Sequence, residues 1–252
     1  MKILKTVKQL RSELSQLKGS IGFVPTMGNL HAGHLSLLEK AKQENDIVIL
    51  SVFINPTQFN NPDDYNRYPK TLDQDAELAE KAGTNIIFAP EENEMYPDNY
   101  NFRINCLDNM INIMEGKYRP GHFEGVLTIV LKLLIITQAD KAYFSEKDYQ
   151  QLYLVQKLTK AYLLKTEIVP CPIIRLKSGL PLSSRNNNLS PNGLQKAEEF
   201  AQMVRSPIEI PKIIQQLASQ EIKVDYLEDH YNIRFVAAFV EGVRLIDNFP
   251  IG

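Results

Sequence analysis

Apolar positions follow two rhythms along this chain. Val7, Leu10, Leu14 and Leu17 recur at helical spacing and predict a first helix over residues 5–17. Gly19 and Ser20 end it, and the apolar run at 21–24 reads as a buried strand. Leu35, Leu37, Leu38 and Ala41 give residues 35–42 an apolar helical face. Residues 46–54, DIVILSVFI, are continuously apolar and β-branched, as in a strand covered on both faces. A helix at 71–81 follows, with Thr71 as its cap and Asp73 and Asp75 in the first turn, where the helix dipole favours them. Further on, the pattern predicts a strand at 85–89, an added edge strand at 102–106 and a loop at 114–124 carrying Arg119 and His122. A helix at 125–138, a strand at 141–144, a helix from an Asp148 cap to about 164 and a strand at 166–169 complete this part. The β-α-β succession predicts an α/β fold built on a doubly wound parallel sheet.

The pattern changes near Ile174. Residues 175–192 are polar and rich in Asn, Ser, Gly and Pro. Helices are predicted at 193–204 and 211–219, and short strands at 224–228, 233–240 and 243–246, with Glu241-Gly242 as a hairpin turn. The expected division is a Rossmann-like domain at 1–174 and a second, smaller α+β domain at 175–252.

Composition narrows the function classes. The 252 residues suffice for a well-buried core, and 44% apolar with 23% charged residues is ordinary for a globular protein. A net charge of −2 gives no general footprint for nucleic acid. Cys106 and Cys171 form no CxxC, which argues against a disulfide framework or zinc ribbon and fits a reducing, cytoplasmic setting. The longest apolar run, 126–137, is broken by Lys132 and is too short to span a bilayer. The first 20 residues lack the apolar core of a signal peptide, so no membrane is expected as a partner.

The candidate chemistry lies at strand-to-helix turns, where open parallel sheets bind ligands. The first turn is Pro25-Thr26-Met27-Gly28-Asn29-Leu30-His31-Ala32-Gly33-His34. Its two histidines have three readings: metal ligands wanting a third partner, capping groups, or donors to phosphate at a helix amino terminus. The second turn, Ser145-Glu146-Lys147-Asp148, supplies a lysine, with Gln151 one turn into the following helix. The third stretch, Leu182-Ser183-Ser184-Arg185, places paired hydroxyls beside an arginine, a natural phosphate clamp in a polar linker. No Walker A or GxGxxG pattern is present.

Taken together, HxGH followed by a serine–arginine loop resembles the HIGH/KMSKS nucleotidyltransferase superfamily. The ordered segments PTMGNLHAGH, FINPTQF, RYPKTLDQD, EGKYRPGHFEGV, FSEKDYQQ, LSSRN and RLIDN are similar to those of the pantothenate synthetases, the pantoate–β-alanine ligases. The resemblance implies condensation of pantoate with β-alanine using ATP and Mg²⁺, through a pantoyl-adenylate, with release of AMP and pyrophosphate by a homodimer. It implies that Met27, Gly28, Asn29, Leu30, His31, Ala32, Gly33 and His34 line the ATP site, with His34 in the acid role and His31 on phosphate. Ser145, Glu146, Lys147 and Asp148 would bind nucleotide, Ile174 would meet it through backbone, and Leu182, Ser183, Ser184 and Arg185 would close over the phosphates. Gln58 and Gln151 would hold pantoate. The catalytic set is then His34, His31, Lys147 and Arg185, with no metal ligand assigned to the protein.

The two histidines, Lys147 and Arg185 are expected to screen the repulsion between a carboxylate and a polyanion. The neutral glutamines leave the attacking carboxylate free of a salt bridge. An acceptor bearing phosphate would instead want a cation at those positions. Three departures from the family text stand out: Ser145 where a glycine is usual, Pro181 in the text before LSSRN, and a tail expected to be shorter by a few tens of residues.

Overall fold

The computed structural model describes residues 1–251. In chain order the first part contains β1 (Lys2–Leu4), α1 (Val7–Leu14), β2 (Ile21–Thr26), α2 (Ala32–Glu44), β3 (Ile47–Val52), α3 (Pro62–Asn66), α4 (Leu72–Lys81), β4 (Ile86–Phe88) and α5 (Glu92–Met95). It continues with α6 (Met114–Tyr118), α7 (His122–Thr137), β5 (Lys141–Ser145), α8 (Tyr149–Ala161) and β6 (Glu167–Cys171). All six strands run parallel in the order β1-β4-β3-β2-β5-β6.

Alternation within the strands covers both faces of this sheet. Phe23, Ile47 and Ile49 face a core shared with α1, α7 and α8. Val24, Val48 and Leu50 face the opposite core with Leu37, Leu38 and Ala41 of α2 and Ala79 of α4. Helix α7 is buried on nearly all sides, which explains why its sequence reads as an unbroken apolar run.

Several expectations need correction. Residues 102–106 form no strand: among the described residues they pair with no ladder, and the Ile104 N–H goes to the Thr128 hydroxyl at 2.9 Å. The expected loop at 114–124 contains α6 and the first turn of α7, separated by Gly121 at φ 80°. Burial of Met114 and Glu115, a tertiary effect, holds α6 despite its breakers. The short strand β1 precedes the first predicted helix and pairs with β4 at the sheet edge. Thr71 and Asp148 occupy N-cap positions but make no side-chain capping bond.

Beyond β6 lie α9 (Pro191–Met203), α10 (Ile210–Ser219) and the strands β7 (Lys223–His230), β8 (Ile233–Val240) and β9 (Val243–Pro250). The three strands form an antiparallel sheet in chain order. Both hairpins turn on two residues of positive φ, Tyr231-Asn232 and Glu241-Gly242, which suits the type I′ turn. The faces of β8 part company: Val236, Ala238 and Val240 pack with Phe200, Ile213 and Leu217, whereas Phe235 and Ala237 join the core of the first part. The small sheet is therefore wedged between its own helices and the α6 and α8 side of the first part. Among the described residues no helix is long and apolar enough to cross a membrane.

Candidate active site

A deep cleft opens at the carboxyl ends of β2 and β5. These neighbours mark the place where the chain, having laid down β3 and β4 on one side of β2, crosses to build β5 and β6 on the other. Such a switch point leaves a crevice at the strand ends.

The floor is the turn from β2 into α2. His31 is the N-cap of α2, and its Nδ1 accepts the Gly33 N–H at 3.1 Å. The His31 N–H is in turn directed at Nδ1 of His34, at 3.4 Å. A side chain on Gly33 would put its Cβ 2.8 Å from the His31 ring, so glycine is what lets the imidazole fold back as a cap. With each Nδ1 facing an N–H, each ring carries its proton on Nε2. The rings stack with centroids 4.0 Å apart. Burial lowers His31 to about 4, helped by Lys147. Burial lowers His34 to about 3, helped by His31 and Lys147. The pair is therefore neutral at pH 7, a correction to the expectation that it screens charge. The capping reading holds, and it leaves each Nε2–H free of the caps as a dipolar donor.

One wall is the turn from β5 into α8. The Ser145 hydroxyl accepts the Lys147 N–H at 3.2 Å, and Lys147 Nζ lies 3.6 Å from Asp148. Asn248 of β9 reaches across to donate to the main-chain oxygens of Glu146 and Lys147, at 2.9 and 2.8 Å. Its neighbour Asp247 is buried between Arg175 and Arg205. The opposite wall is the stretch after Ile174, whose carbonyl accepts the Leu182 N–H at 2.9 Å. The Ser183 hydroxyl caps the following turn at the Arg185 N–H, and Arg185 lies 3.5 Å from Asp64. Pro181 fits this wall: it lies in a bridge with Arg175, and its carbonyl accepts from Asn186.

Gln58 ends a one-turn helix after β3. Its Oε1 accepts from Asn55 at 3.1 Å, and its Nε2 contacts the Met27 sulfur at 3.1 Å. Gln151 faces the same cleft from the first turn of α8. Met27, His31, Gly33, His34, Gln58, Ser145, Lys147, Asp148, Gln151, Ile174, Leu182, Ser183, Ser184 and Arg185 thus converge on one cavity.

Five expected nucleotide residues do not line it. Gly28 backs onto Asp75, and the N–H groups of Asn29 and Leu30 donate to the Asp75 carboxylate at 3.0 and 2.7 Å. Ala32 and Glu146 are exposed, and Glu146 meets the site only through its carbonyl, held by Asn248. Asp75 is 1% exposed and is thus the anchor of the histidine turn, beyond any effect on its own helix. Asn55 and Asn248 were given no role by the sequence, and Asp75 only a helix-dipole or loop-partner one. Their sole signal was membership of FINPTQF, TLDQD and RLIDN.

A sequence model of the pantoate-beta-alanine ligase family matches residues 2–250. The chain belongs to the pantoate–β-alanine ligase family. It is an enzyme of the ligase class. It is 49% identical over 243 residues to the pantothenate synthetase of Coxiella burnetii, covering 96% of this chain and 93% of that one. The structure of the pantoate–β-alanine ligase of Francisella tularensis, complexed with beta-gamma ATP and beta-alanine, superposes with a TM-score of 0.97 at 45% identity, covering 100% and 98% of the two chains. The Thermus thermophilus enzyme gives 0.91 at 36% identity, covering 100% and 99%. At that coverage, no stretch of a few tens of residues is missing relative to these two ligases.

Proposed function

We propose that this chain joins pantoate to β-alanine through a pantoyl-adenylate. A pantoate carboxylate oxygen attacks the α-phosphorus of ATP. The new O–P bond forms as the bond to the β-phosphate oxygen breaks, and pyrophosphate leaves. The β-alanine amine then attacks the acyl carbon. The C–N bond forms, the acyl–oxygen bond to phosphate breaks, AMP leaves, and the surplus ammonium proton passes to solvent.

The observation that best supports this reading is the convergence of Lys147, Arg185 and the His31–His34 pair on one cleft that also holds Gln58 and Gln151. Lys147 and Arg185 supply the charges that let two anions meet. The histidines and the amino terminus of α2 supply fixed donors whose orientation costs nothing at the moment of reaction. Gln58 and Gln151 orient the hydroxyl and carboxylate groups of pantoate without locking the nucleophile in an ion pair. Residues 175–252 take the part of a lid, with Arg185 exchanging Asp64 for phosphate.

Among the described residues no group of three metal-ligating side chains converges, and Asp75 is committed to backbone donors. Mg²⁺ fits this site as an ion carried on phosphate oxygens, where it neutralises part of the polyanion. A cytoplasmic homodimer completes the reading; unpaired Cys106 and Cys171 suit a reducing compartment. Product analysis with all three substrates should find AMP and pyrophosphate in step with pantothenate. ADP and phosphate in their place would contradict the adenylate route.

A further inference from the structure

The stretch EGKYRPGHFEGV contributes no residue to the chemistry above, yet three of its polar side chains line the cleft: Glu115, Arg119 and His122. All three lead to one atom, the main-chain oxygen of Gln58. His122 Nδ1 lies 2.8 Å from that oxygen and Arg119 Nη2 lies 3.2 Å from it. A carbonyl only accepts, so His122 carries its proton on Nδ1. Its Nε2 is then a lone pair, and Arg119 Nη1 donates to it at 3.1 Å. The other tautomer would set acceptor against acceptor at one nitrogen and donor against donor at the other.

The clamp is itself held from the C-terminal sheet. Glu115 lies 3.3 Å from Arg119 and receives both Nη atoms of Arg244, at 2.9 and 2.7 Å, together with the Tyr226 hydroxyl at 2.9 Å. Arg244 also pairs with Asp225 at 2.8 Å. Burial raises the Glu115 carboxyl, but the guanidiniums of Arg244 and Arg119 overcome it and hold it at about 2. Two carboxylates thus balance two guanidiniums. The cluster adds rigidity to the cleft wall without adding net charge beside an incoming carboxylate.

We propose that His122 and Arg119 are positioning residues for the acid substrate: they clamp the Gln58 main chain and so aim its side-chain amide into the cleft. Asn55 completes the support from the other side. Its amide nitrogen is 3.1 Å from both Gln58 Oε1 and the Gly125 carbonyl. A Cβ at Gly125 would lie 2.4 Å from the Thr57 oxygen, so α7 can carry the clamp this close to the turn only with glycine there. The inference rests on the reading that Gln58 binds pantoate.

The test compares His122→Asn, His122→Gln and His122→Ala in pantoate-dependent ATP–pyrophosphate exchange by the full chain. An asparagine amide nitrogen takes the place of Nδ1, and a glutamine amide nitrogen the place of Nε2. His122→Asn should keep KM for pantoate near the wild-type value. His122→Gln and His122→Ala should raise it roughly tenfold, the loss of one hydrogen bond to a buried carbonyl, with KM for ATP unchanged. In a Gln58→Ala background the His122 substitutions should add nothing further. Should His122→Ala fail to fold, the Asn and Gln variants, which differ by one methylene, carry the comparison alone. Equal pantoate KM in the Asn and Gln variants, or parallel rises for pantoate and ATP, would overturn the clamp. Wild-type protein without pantoate-dependent exchange would instead overturn the functional reading on which the clamp rests.

Discussion

At the scale of single residues, protonation decides what each group can do. His31, His34 and His122 are all held neutral, chiefly by burial, at about 4, 3 and 3. In the unfolded chain each binds a proton near the ordinary value of 6.5. Between those values the unfolded state holds more protons, so stability falls as pH drops from about 6.5 towards 3. Each site contributes a slope of up to about 1.4 kcal/mol per pH unit in that window. Urea midpoints should therefore decline between pH 7 and pH 5, and the decline should be shallower in His122→Asn. An identical slope in that variant would contradict buried neutrality. His34→Ala should lower kcat on the order of 10²-fold through loss of a preorganised donor. A kcat within threefold of wild type would remove that role. His31 and His34 stood out in the sequence as HxGH at a strand-to-helix turn, whereas His122 did not. The tautomers and neutrality of all three were not legible, because these depend on which backbone group each Nδ1 meets and on burial.

At the scale of elements, the turns matter more than the helices and strands they join. The central strands were legible because burial on both faces leaves continuous β-branched runs such as residues 47–52, whereas the exposed edge strand β1 left no such run. Helix α6 was not, because it is fixed by the burial of Glu115 against Tyr226 of β7 and Arg244 of β9, more than a hundred residues downstream. Residues 102–106 misled for the converse reason. Their pattern suits an edge strand, but Thr128 takes the Ile104 N–H. Asp75 shows how a distant element holds the histidine turn. Its carboxylate accepts from the Asn29 and Leu30 N–H groups and from the Thr71 hydroxyl. Asp75→Ala strands two backbone donors and should cost about 2–4 kcal/mol in chemical denaturation, with weaker ATP binding by calorimetry. A loss below about 0.5 kcal/mol, the range of ordinary surface substitutions, would show that Asp75 does not hold the turn.

At the scale of the whole molecule, the C-terminal sheet does more than carry one wall of the cleft. Strand β9 supports the site at three points. Arg244 holds Glu115, Asp247 holds Arg175 beside the start of the Leu182–Arg185 wall, and Asn248 holds the carbonyls of the Lys147 turn. The motif RLIDN is therefore a set of anchors. The cleft is built by both parts of the chain, and the ligase reading requires that they act on one bound acid. The most direct measurement is exchange of labelled pyrophosphate into ATP with β-alanine omitted. Exchange that depends on pantoate is the predicted result, because the first half-reaction is reversible and needs no amine. No exchange with pantoate present, by protein that still binds ATP, would contradict the account.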